Sequence, residues 1–203
     1  MLTVATLFWT ANEKSQAFST MYDEAWVEKL YHGFHRNLTE PFRFVCFVDR
    51  KRKFTEPIEQ EIIKSRPIDY GACIEPYELD VPMILVGLDT VVVGNIDHLA
   101  RYCFDADTIA LPRAVYLKGT VCNGVALVPA GKRAVYDDWN GENDMEWMRT
   151  REHVVIDDLW PGHVVSYKGH VQKYGLGDAR IVFFHGVSKP HEINEPFIQE
   201  HWH

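Results

Sequence analysis

Three short runs, Leu2 to Phe8, Phe42 to Val48 and Pro82 to Leu88, are dominated by apolar residues with no regular polar alternation. A strand of this kind must bury both faces, which is the condition of a central strand covered by helices on either side. Between the first two runs, Phe18, Tyr22, Trp26, Leu30 and Phe34 recur every fourth residue, with Met21, Ala25 and Tyr31 beside them. That stripe predicts a helix over 15–37 lying on the sheet. A second, short helix is expected over 56–66, ending before Pro67. Val91 to Val93 reads as a short continuation of the third run after Asp89-Thr90, and Asp97 as the N-cap of a helix through Tyr102. Thr108–Leu111, Gly124–Val128, Val164–Tyr167 and Ile181–Phe184 read as strands, 131–140 and 144–149 as helices, and 154–160 as either. Strands alternating with helices predict an α/β fold, Rossmann-like, with a central, mainly parallel mixed sheet flanked by helices. Ligands in such sheets sit beyond the carboxyl ends of the strands, which brings Phe8 to Asn12, Asp49 and Asp89 near one another.

The 203 residues suit a single domain, 1–203, without repeats. With 46% hydrophobic and 25% charged residues, a disordered chain is excluded. The formal charge of −8 opposes unaided binding to nucleic acid or an anionic membrane, while leaving room for an anion in a local basic pocket. Arg50-Lys51-Arg52-Lys53 is either a solvated loop or, following a strand end, a contact for such an anion. Cys46, Cys73, Cys103 and Cys122 show no metal-site spacing and read as reduced core thiols. No leader is visible at Met1-Leu2-Thr3-Val4, and the longest apolar stretch, Val81 to Leu88, is too short to span a bilayer. A cytoplasmic protein without membrane contact is expected.

An aspartate between buried β runs, as in Gly87-Leu88-Asp89-Thr90-Val91-Val92-Val93-Gly94-Asn95-Ile96-Asp97, is costly unless something pairs with it. A divalent cation would serve, and so would backbone N–H groups in a turn. This segment resembles the surroundings of the D-x-D motif in nucleotide-sugar glycosyltransferases of the GT-A fold, and is most similar to glycosyltransferase family 8. Three further segments agree in order. Asn37 to Asp49 resembles the second strand of that fold, Cys122-Asn123-Gly124-Val125-Ala126-Leu127-Val128 its N-[ST]-G-V-[ML] strand, and Phe183-Phe184-His185-Gly186-Val187-Ser188-Lys189-Pro190-His191 its H-x-x-G-x-x-K-P-W motif.

The resemblance implies a nucleotide-sugar donor, a UDP-sugar in the first instance, and an unidentified hydroxyl acceptor. A nucleic-acid acceptor is disfavoured by the net charge. It also implies Mn²⁺ or Mg²⁺ held by Asp89 and His185, with Lys189 on the diphosphate. Asp49 and the backbone from Thr6 past Trp9 to Thr10 would hold the base or ribose. Asn123, Gly124 and Gly186 would approach the donor or acceptor, and Asp157 and Asp158 would face the transferred sugar; these two acids equally suit a helix cap. The compact size suits a bacterial or phage enzyme. The chain departs from the family where the first aspartate of D-x-D is Gly87, where His185 stands immediately before Gly186, and where the motif's tryptophan is His191. Gly87 favours an alternative, a catalytically impaired relative that binds nucleotide or a partner without turnover. A nucleotidyltransferase would need a glycine-rich loop after the first strand, and Phe8 to Lys14 contains no glycine. His201-Trp202-His203 reads as a disordered or packed chain end, not a metal site.

Overall fold

The computed structural model describes residues 1–203, with the side chain of Phe18 outside the description. The chain runs β1 (Leu2–Phe8), α1 (Gln16–Ser19), α2 (Glu24–Asn37), β2 (Phe42–Val48), β3 (Ile58–Ile62), a 3-10 helix over Tyr70–Leu79, β4 (Met83–Val86) and β5 (Thr90–Val92). It continues with α3 (Asp97–Asp105), β6 (Ile109–Leu111), β7 (Val125–Val128), α4 (Ala134–Asp137), α5 (Asp144–Thr150), β8 (His153–Val155), α6 (Ile156–Leu159) and β9 (Val164–Ser166). A π-helical turn (Tyr167–Val171), α7 (Gln172–Tyr174), β10 (Ile181–Phe183), a 3-10 turn (Pro190–Glu192) and α8 (Pro196–His201) complete it.

Seven strands form the central sheet in the order β3-β2-β1-β4-β7-β6-β8. All neighbours are parallel except β4 with β7 and β7 with β6. This is the mixed, mainly parallel α/β sheet the apolar runs predict. Strand parity divides its two faces. Leu2, Val4 and Phe8 of β1 pack with Val27, Leu30 and Phe34 of α2 and with Leu99 of α3. Ala5, Leu7 and Trp9 face the other way, toward Ala72, Ile74 and Tyr77 of the 3-10 helix and Trp147 of α5. Helical cover on both faces is what makes unbroken apolar strands stable there.

A second, three-stranded sheet, β5-β10-β9, stands beside the first. Val91 to Val93 therefore does not continue β4. The chain leaves the central sheet at Gly87 and pairs antiparallel with β10, Thr90 lying opposite Phe183. A third apolar cluster backs this sheet, including Val91, Val182, Phe184, Phe197 and Ile198.

Several local expectations are corrected. The helix expected over 56–66 is β3, parallel to β2 from Phe44 opposite Ile58 to Val48 opposite Ile62. The open backbone edge of β2 offers hydrogen bonds that outweigh local helix propensity. The helix over 15–37 breaks at Asp23, whose carboxylate accepts from the Trp26 N–H at 3.3 Å and starts α2 afresh. Asp97 does not cap α3. Its carboxylate accepts from the Thr39 N–H, the Thr39 hydroxyl and the Asn95 amide, tying the α2–β2 connection to α3. The helix over 131–140 contracts to α4, and 154–160 is strand and then helix. The chain end is packed: the Trp202 ring lies 4.8 Å from that of Trp26, and Arg36 donates to the His201 carbonyl.

Candidate active site

The carboxyl ends of β1 and β4 open onto a cavity of about 420 Å³. Because β7 runs antiparallel to β4, the residues just before it, Asn123 and Gly124, reach the same end of the sheet. The remaining walls come from Tyr22 ahead of α2, Tyr70 of the 3-10 helix, the first turn of α5, and the segment after β10. A concave site with both apolar walls and a few polar groups is the ordinary form of a small-molecule pocket.

Asp89 stands where the chain passes from one sheet to the other. Its backbone carbonyl accepts from the Phe184 N–H at 3.1 Å, and its carboxylate forms an ion pair with the Lys189 ammonium. Both side chains line the cavity yet are nearly covered, the residues being 9% and 4% exposed. Charges buried this far require pairing. The loop that delivers Lys189 turns through two left-handed residues, Gly186 at φ 62° and Ser188 at φ 66°. It is then fixed by the Lys189 N–H donating to Glu192 at 2.8 Å and by His191 against the Trp26 ring at 5.3 Å. Burial, and then the Asp89 charge, push the Tyr22 phenol above its ordinary range, so it stays protonated.

His185 is half-buried beside the same loop. Its Nε2 lies 2.9 Å from Ser166 Oγ, which also accepts from the Gly169 N–H at 3.1 Å. Burial first, and the Lys168 charge next, hold this imidazole below its usual value. A Cβ on Gly186 would stand 3.7 Å from the Lys168 ammonium, so a second cation flanks the loop.

On the α5 side, the Asn123 amide donates to Asp144 Oδ2 at 3.1 Å. Burial pushes Asp144 up to about 6, against the opposing hydrogen bond from Asn123. Asn123 Oδ1 is buried with no partner among the described residues, as is the Tyr77 hydroxyl.

Of the residues singled out in the sequence, Trp9, Asp89, Asn123, Gly124, His185, Gly186 and Lys189 line this cavity. The Trp9 indole donates to Ser15 Oγ at 3.0 Å, which sets its ring. Thr6, Asp49, Asp157 and Asp158 do not line it. Thr6 is an even-numbered residue of β1, on the parity that faces the α2 layer, and it is fully buried. Asp49 accepts from Arg52 at 2.6 and 3.2 Å and from the Thr10 N–H at 3.2 Å. Burial works to raise that carboxyl, but Arg52 and Thr10 together hold it below the usual range. Asp157 accepts from the Arg113 N–H, and Asp158 pairs with the Arg113 guanidinium at the surface. At Gly124 an added Cβ would come 3.1 Å from the Phe183 ring, so this glycine also makes room for β10. Tyr22, Tyr70, Asp144, Arg149 and Lys168 were missed in the sequence. An N-cap preceding a charged residue, Asn143-Asp144, was the one signal for α5, and it marks a helix start rather than a site.

The residues expected to hold a divalent cation do not assemble a donor set for one. The Asp89 carboxylate faces an ammonium, Gly87 supplies no carboxylate, and His185 Nε2 is engaged by Ser166. Among the described residues no group of three or more His, Cys, Asp or Glu stands together. Nor is any helix, among the described residues, long and apolar enough to cross a membrane.

No family model matches the sequence, and a search of the curated proteins finds no match. Two solved structures of a glycosyltransferase, GlyE from Streptococcus pneumoniae TIGR4, are similar in fold. One shares 12% identity, and the apo form shares 10%. Each has a TM-score of 0.61 and covers 93% of this chain but 55% of its own, so this chain spans about half the length of either neighbour. The chain therefore has the α/β fold of a glycosyltransferase, carried at sequence identities that speak for architecture alone.

Proposed function

We propose that the cavity binds a nucleoside-diphosphate sugar and transfers its sugar to a hydroxyl acceptor. The observation that carries this reading is the buried Lys189 ammonium, held by Asp89 at the carboxyl end of β4 with Lys168 alongside, within a fold shared with a glycosyltransferase. Cations at the end of an α/β sheet suit a diphosphate. Trp9, Tyr22 and Tyr70 supply aromatic surface for a base or sugar ring.

In the reaction, the bond between the anomeric carbon and the diphosphate oxygen breaks, and a bond to the acceptor oxygen forms. The acceptor proton passes to an oxygen of the departing diphosphate, so no protein base is required, and the anomeric configuration is retained. Lys189 offsets the negative charge that grows on the leaving group. Asp89 holds that ammonium in place, and His185, kept neutral, adds no charge of its own to the site. A uridine nucleotide is the first donor to try. Since the residues present do not fit a bound cation, no step is routed through one.

The test is a thermal-shift and turnover panel of nucleoside-diphosphate sugars. A ligand at about 100 times its Kd adds roughly 2.7 kcal/mol of stability. Stabilisation by one donor, with release of its nucleoside diphosphate, supports the reading. Stabilisation by none removes it. Gly87 favours a second reading, nucleotide binding without turnover, and binding with no release of diphosphate would select it.

A further inference from the structure

We propose that Asp144 and Asn123 form the subsite that holds hydroxyl groups of the transferred sugar, making Asp144 a specificity-determining residue of the cavity. This rests on the proposed function and extends it to a second part of the cavity. At Lys189, with Lys168 behind the Gly186 loop, the wall presents a cation, which suits the diphosphate. The α5 wall presents the acceptors of Asn123 and Asp144 beside the Arg149 guanidinium. Asn123 Oδ1 is buried and unpartnered, and Asp144 has Asn123 Nδ2 as its side-chain donor. Unpaired buried acceptors are costly, and a ligand that brings O–H donors relieves them. Arg149 of α5 lines the same wall, and a sugar, whose hydroxyl groups both donate and accept, suits carboxylate, amide and guanidinium together. Asp157 and Asp158, which the family resemblance places at the sugar, are instead held by Arg113 away from the cavity.

The charge on Asp144 is set locally. Arg149 on its own helix favours ionisation, and burial opposes it. Cys73 and Tyr77 face it from the 3-10 helix; burial first, and the Asp144 charge next, raise both, so neither ionises near neutral pH. Glu146 on α5, with Asp89, Lys189 and His185 across the cavity, complete the charged and titratable lining.

The experiment is isothermal titration of the parent and of Asp144→Asn with UDP-, GDP- and dTDP-hexoses, each beside its own nucleoside diphosphate. The variant is expected to lose about tenfold or more in affinity for the nucleotide sugar and less than about twofold for the nucleoside diphosphate. In the parent, affinity for the nucleotide sugar is expected to rise as pH increases through about 6, as Asp144 sheds its proton, and the variant is expected to lose that rise. Should Asp144→Asn fail to fold, Asp144→Glu, which keeps the charge but displaces it, is expected to show the same split. Equal loss for sugar and bare nucleotide, or no loss for either, overturns the assignment while the proposed function stands. Failure of the parent to bind any nucleotide sugar removes both.

Discussion

Two carboxylates line one cavity and are treated in opposite ways. Asp89 is matched by an ammonium whose loop is fixed from both sides, so its burial is compensated within the protein. Asp144 has an amide for a partner and is pushed up to about 6. The first arrangement is tolerated by the fold only while both partners remain. The second costs stability and leaves hydrogen-bonding capacity for something outside the protein. Sites that bind ligands are commonly of this second kind, because a group already satisfied has little left to offer.

The contrast can be broken most severely at Lys189. Lys189→Ala leaves Asp89 buried and unpaired and is expected to cost about 3–5 kcal/mol, measured by urea unfolding. Asp89→Asn combined with Lys189→Met should recover most of that loss; a double variant as unstable as the single one would mean the pair is not the cause. At Asp144 the sign reverses. Asp144→Asn is expected to stabilise the protein by up to about 3 kcal/mol at pH 7.5, from a shift of roughly two units. A raised carboxyl favours the folded state only while protonated. The penalty is therefore absent well below the unfolded value near pH 4, grows as pH rises toward 6, and is complete above it, so the stabilisation should shrink severalfold by pH 4. A gain undiminished at pH 4 would point to packing instead. Asp158→Ala, which removes an exposed pair with Arg113, is expected to change stability by less than about 0.5 kcal/mol and to leave donor affinity unaltered. The smallest effect is expected from chelation: donor affinity with EDTA should equal that with Mn²⁺ added, and a strong dependence on Mn²⁺ would mean a cation displaces Lys189 from Asp89.

What was legible in the sequence follows from where information is local. β1, β2 and β4 are dominated by apolar residues because both sides are covered, so composition alone marks them. The edge strand β3 alternates poorly and carries exposed Glu59, Glu61 and Ile62; only the waiting edge of β2 makes it a strand. The break at Asp23 was readable as a cap, but the four-residue stripe continues across it and hides the interruption. Motif order located Asp89, Asn123, His185 and Lys189 on a common cavity. It did not show that Lys189 would occupy Asp89, since that contact joins residues a hundred positions apart. Asp144 was invisible for a related reason: at the start of a short helix it looks like ordinary first-turn acidity, and only the three-dimensional cover of α5 turns it into a perturbed group.

The packed carboxyl end has a practical consequence. Trp202 rests on Trp26, which also bears His191, the second residue after Lys189. Lys29 lies over the same Trp202 ring at 3.7 Å, and Arg36 grips the His201 carbonyl. A fusion partner or affinity handle joined after His203 would load this aromatic stack and, through it, the loop that carries the ammonium. Handles are better joined ahead of Met1, which is exposed, with ligand affinity compared between the two formats before any binding constant is trusted.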